Sequence, residues 1–207
     1  MEMLRLTAHW FGGLIMYKKQ MKLQRILCLA LVIVCALAFV YSLGMMTDLY
    51  DSLYGTFRRG KSSIEGAEIY NDMQGFNKSF LHGSIGMILL CVVLFITNTH
   101  SRRKYYIGNY CAVGLFTAGS LAFMIWGHGQ IEAFKAQFQK IDFKALADFA
   151  QKRKTLYTES TFWFDIHYLV FGLLLIGTVL LILNVIWKRR LMKEEQGLIG
   201  QGKEAAA

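Results

Sequence analysis

Proline is absent from all 207 residues, and cysteine occurs only four times. Without proline, long helices have no forced breaking point, and the interrupted membrane helices on which many secondary transporters rely are not expected. Cys28, Cys35, Cys91 and Cys111 all lie inside apolar runs. No disulfide framework follows from them, and the stretches read below as lying outside the membrane hold no cysteine. That disfavours the four-crossing junction and scaffold families that depend on cysteines in those stretches. Cys28 and Cys35 share a helix face but have no neighbouring His or carboxylate, so they read as small packing residues. Also missing are a phosphate-cradling Gly-rich loop, a metalloprotease helix signature, a paired-Cys metal motif and a nucleophile elbow. The expectation is a protein that is not an enzyme, with no metal site assignable from spacing.

What the sequence does hold is apolar residues, 55% of the total, gathered into runs too long for a soluble core helix. The first runs from about Ile26 to Met46, the others over 80–97, 106–126 and 162–187. At ~1.5 Å per residue each approaches or exceeds the ~30 Å of a hydrocarbon layer. The formal net charge is +9, yet Lys and Arg stand mostly beside the apolar runs, which makes them topology charges and argues against a nucleic-acid-binding face. Residues 1–25 combine Leu4, Trp10, Phe11, Leu14, Ile15 and Tyr17 with Lys18, Lys19, Lys22 and Arg25, the pattern of an amphipathic segment on the cytoplasmic interface. The following run exceeds a signal-peptide h-region of ~7–15 residues, so it is expected to persist as a membrane helix.

Four crossings place both termini on one side. The basic groups Lys18 to Arg25, Arg102 to Lys104 and Lys188 to Arg190 flank that side, which the positive-inside pattern makes cytoplasmic, with a plasma membrane as the expected location. Residues 188–207 then form a cytoplasmic tail, and the longer segments 47–79 and 128–161 face outward. Met46, Leu49, Tyr50, Leu53 and Phe57 continue the first helical period past the lipid, and Ile131, Phe134, Phe138 and Ile141 continue the third. Phe143, Leu146, Ala147 and Ala150 predict a short amphipathic helix returning toward the last crossing. The fold expected is an all-α, four-helix transmembrane bundle with helical extensions on the outer side.

Weak internal similarity relates the halves: Ala36 to Phe39 resembles Ser120 to Phe123, and Leu81-His82 resembles Ile166-His167. Apolar segments align with one another easily, so unrelated halves are the default reading.

Few residues within these runs carry chemistry. His82 and His167 each fall within two turns of the start of an inward crossing, at matched depth. Two imidazoles at one level are able to ligate a haem b iron axially, the alternative to no cofactor. The competing reading is hydrogen bonding to a carbonyl or water near the headgroups. Asp165, the one carboxylate inside a crossing, and His128, at the outer end of the third, form a possible polar membrane site. Asp165 also complements its helix dipole. Gly114, Ala118 and Ala122 make a smooth stripe, and Gly83 with Gly86 a shorter one, with an internal neighbour the expected occupant. Trp10, Trp126, Trp163 and Trp187 belong to interfacial aromatic belts. Ile131, Phe134, Phe138 and Ile141 are the possible partner surface, with the extension of the first helix as the competing cover. The leading functional expectation is an accessory or structural subunit of a larger membrane complex of transporter type, bound to the bilayer and to a membrane protein partner. The alternatives are a bis-His haem b electron-transfer subunit and a small self-contained transporter or channel.

Overall fold

The computed structural model describes residues 2–47, 57, 64–100 and 106–204, with side chains over 18–45, 57, 64–98, 107–194 and 196–197. Among the described residues there are five helices and no strand: α1 Glu2–Thr47, α2 Ile69–His100, α3 Tyr106–Phe138, α4 Phe143–Arg153 and α5 Phe162–Glu204. All but α4 are long and apolar enough to cross a membrane. An apolar medium offers no partner to the backbone, so these runs satisfy every N–H and C=O within the helix. Each expected crossing falls inside one helix, and α1 passes through residue 25 with no break between the amphipathic segment and the first crossing. Helix α5 likewise continues past 187 to Glu204.

The long helices form a closed ring. Helix α1 packs on α2 and α5, and α3 on α2 and α5, which leaves α1 opposite α3 and α2 opposite α5. Crossing helices adjacent in sequence are adjacent in this ring, an order common to unrelated four-helix bundles, so it does not bear on the internal similarity. The inward stripe is regular. Along α5, Phe164, His167, Phe171, Leu174, Thr178, Leu181, Asn184, Lys188 and Leu191 are buried, steps of three and four that keep one helix face toward the ring. On the other faces Leu169, Ile176, Leu180 and Leu183 are exposed. A helix apolar on its outer as well as its inner face belongs in lipid. Two hydroxyl pairs stitch the middle of the bundle, Ser42 to Ser84 at 3.1 Å between α1 and α2, and Ser120 to Thr178 at 3.3 Å between α3 and α5.

At the end away from the termini, α2 begins well before residue 80, α3 runs on to Phe138 and α4 folds back across them. Asp142 caps α4, its carboxylate accepting from the N–H groups of Lys144 and Ala145 at 3.1 and 3.2 Å, an arrangement that satisfies two of the orphan donors of the first turn. Helix α4 ends at Lys154, whose positive φ of 53° makes a left-handed cap. Gly66, at φ 78°, precedes α2 where a Cβ would lie only 3.1 Å from Ile141 Cα and the Lys140 carbonyl oxygen, and Asp142 donates its N–H to the Glu65 carbonyl there. A side chain at that left-handed position would be strained.

The cap corrects one expectation. Ile131 and Phe138 are fully buried and Ile141 nearly so, while Phe134 is half-buried against the core. These residues are therefore not a free partner surface. Phe138 meets the rings of Tyr70, Phe143 and Phe164, and Phe134 meets Phe76. The cover comes from the start of α2, from α4 and from α5. Of the proposed extension of the first helix, Leu49, Tyr50 and Leu53 lie outside the described residues. Phe57 is buried against Tyr70 and Phe149. The chain closes its own aromatic cap, because rings spaced one turn apart on α3 find partners from three other segments.

Candidate functional site

At the capped end, α3 and α5 bring together a polar group in otherwise apolar surroundings. His128 and Glu132 are four residues apart on α3 and so project from one face. His167, fully buried, comes from α5. Nδ1 of His128 lies 2.9 Å from Nε2 of His167, and Nε2 of His167 lies 3.8 Å from the Glu132 carboxylate. Nδ1 of His167 donates to the Phe164 carbonyl. A carbonyl only accepts, so the neutral His167 carries its proton on Nδ1 and presents a bare Nε2, toward which His128 donates. Tyr168 donates its hydroxyl to Glu132 at 2.8 Å, and its ring packs on both imidazoles. One turn along α3, Lys135 pairs with Asp165, whose other oxygen accepts from Thr161 at 2.9 Å.

The imidazole pair closes one end of a groove of about 340 Å³ between α3 and α5. Beyond His128, His167 and Tyr168, its lining is apolar: Leu121, Met124, Ile125, Phe171 and Leu175.

The histidines predicted to act together do not pair. His82 is exposed on α2, diagonally across the ring from α5, and the partner of His167 is His128. Asp165 sits within the crossing as expected and serves Lys135 and Thr161, leaving the His167 ring to Phe164 and His128. Sequence reasoning missed Glu132, Lys135 and Tyr168. The signal was present in the four-residue spacing of His128 and Glu132, but beyond His128 that stretch follows the expected end of the third crossing, where the apolar period of Ile131, Phe134 and Phe138 dominates the pattern.

A second polar group is buried near the termini. Gln20 donates to Asn184 at 2.8 Å and to Gln24 at 3.1 Å. Gln24 and Lys188 both donate to the Asn109 side-chain oxygen, at 2.9 and 3.2 Å. By the sequence pattern Lys188 belongs among the interfacial charges. It is instead fully buried, whereas Arg189 and Arg190 are exposed. The three- and four-residue steps from Leu181 through Asn184 to Lys188 and Leu191 turn Lys188 inward and leave Arg189 and Arg190 outside.

The small-residue stripe also departs from expectation. Gly114, Ala118 and Ala122 are all exposed, on the α3 face turned away from the ring. Beside them, between α3 and α2, runs a groove of about 490 Å³ floored by Gly83, Gly86 and Gly119. A Cβ added at Gly86 or Gly114 would meet nothing within 4 Å. Comparison with protein-family models, curated proteins and solved structures found no match.

Proposed function

We propose that this multi-pass membrane protein is a non-enzymatic accessory subunit of a larger membrane assembly, of transporter type, and that its partner docks a transmembrane helix along α3. The observation that carries the reading is the outward-facing Gly114, Ala118 and Ala122 stripe with the glycine-floored groove beside it. In lipid the hydrophobic effect does not drive helices together. Association rests on close packing, and small residues let two backbones approach. Among the described residues, that face is left uncovered.

A self-contained channel finds less support. Phe116 and Leu181, both fully buried, separate the Ser120 to Thr178 pair from the Asn109 and Asn184 group, and Phe123, Phe171 and Leu174 separate it from the histidines. No continuous polar lining joins the two ends among the described residues. Haem ligation by His82 and His167 loses its motivation, because one ring is exposed and the other is engaged by His128.

The reading places the termini in the cytoplasm and the aromatic cap outside, at a plasma membrane. A cysteine at Gln151, exposed on α4, is then labelled by an impermeant thiol reagent in intact cells, and one at Gly200 is not. The partner claim is tested by Ala118→Leu in the native host. Native mass spectrometry in mild detergent should show a second polypeptide with the wild-type chain and its loss from the variant, with the chain's own helicity and yield unchanged. A wild-type chain that flies alone, or only as a homo-oligomer, contradicts the reading.

A further inference from the structure

We propose that His128, Glu132 and His167 bind a divalent d-block cation of the zinc class, a function separate from the docking face on α3. One nitrogen from each histidine and one carboxylate oxygen all lie within 4.8 Å of one another. Two imidazoles and a carboxylate suit such an ion, and three protein ligands with one open position is a familiar zinc arrangement.

The supports around the three side chains strengthen the assignment. A ligating histidine is normally oriented by a hydrogen bond from its other nitrogen to a carbonyl or carboxylate, which also raises its basicity. His167 has this bond, to Phe164, and its bare Nε2 is the atom aimed at the other two ligands. Glu132 is held by the Tyr168 hydroxyl, so the carboxylate is steered as well. The nearest other charges, Lys135 and Asp165, neutralise each other in an ion pair, and the cation meets no unopposed positive charge from them.

Binding requires one rearrangement. The bond from His128 Nδ1 to His167 Nε2 is replaced by two bonds to the metal, and His128 switches tautomer. It gives its Nδ1 proton to water and takes one from water at Nε2, with no net change in protons. With Glu132 ionised, a dication leaves the site at +1. The groove of about 340 Å³ against both imidazoles has room for a water as the fourth ligand.

The test uses the full chain in lipid nanodiscs with any affinity tag removed, titrated with Zn²⁺ by calorimetry and with Co²⁺ in the visible. One equivalent of Zn²⁺ per chain and the intense d–d bands of tetrahedral Co²⁺ are expected. His128→Ala and His167→Ala abolish both signals, Glu132→Gln weakens binding at least ten-fold, and Tyr168→Phe weakens it about 10- to 100-fold, as loss of an orienting hydrogen bond does. His82→Ala leaves them unchanged. Should the buried His167 variant fail to fold, His128→Ala carries the test, since that side chain is exposed. Absence of saturable binding to the wild-type chain overturns the proposal, as does binding that survives His128→Ala or is lost with His82→Ala.

Discussion

Truncating Phe138 to alanine separates a self-covering cap from a docking surface. The ring has no solvent exposure, and its centroid lies 5.3 Å from both Phe143 and Phe164 and 6.5 Å from Tyr70. Removing a fully buried Phe from such a site costs about 3–5 kcal/mol in lost transfer energy and cavity. The membrane helices do not depend on that contact, since their backbone bonds and lipid contacts remain. The loss therefore falls on the cap. At 1.4 kcal/mol per factor of ten, the open population of α4 rises by roughly two to four orders of magnitude. Hydrogen exchange on the protein in nanodiscs reads this directly: amides of Leu146 to Ala150 exchange faster, and those of Leu174 to Leu181 keep their wild-type rates. Phe134→Ala, at a half-buried site, produces a smaller change. Unchanged exchange in α4 together with loss of a co-purifying protein would refute the reasoning and restore Phe138 to a partner surface.

Asp142→Ala removes the cap of α4 and should destabilise that helix by about 1 kcal/mol, seen as roughly five-fold faster cleavage by a protease after Lys152 or Arg153. The two glycine environments predict opposite outcomes. A Cβ at Gly177 would lie 2.6 Å from Leu31, so Gly177→Leu forces α1 and α5 apart and lowers the detergent melting temperature, whereas Gly86→Leu, facing open space, leaves it within about a degree of wild type. Equal melting temperatures for the two would contradict the α1 to α5 packing.

The crossings were legible because the requirement they answer is one-dimensional: enough apolar residues in a row. The return helix α4 was legible for a similar reason, since Phe143, Leu146, Ala147 and Ala150 recur at the helical period. Which face of a lipid helix turns inward was not. Gly114, Ala118 and Ala122 look the same whether they meet a neighbour or lipid, because both environments are apolar. Lys188 shows the same limit from the polar side, being one of three adjacent cations of which helical phase buries only the first. The candidate site was half visible. His128 and His167 stood out as polar residues in apolar runs, but matched depth suggested His82 as the companion of His167. Depth along the membrane is set by sequence, whereas adjacency is set by ring order, which puts α3 beside α5 and α2 across from it.

The docking claim stands or falls on what touches α3 from outside. With a photo-crosslinking amino acid at Ala118 in living cells, and at the lipid-facing Leu180 of α5 as control, it predicts a discrete adduct with one other membrane protein at 118 and none at 180. Crosslinks to lipid alone at both positions would contradict it.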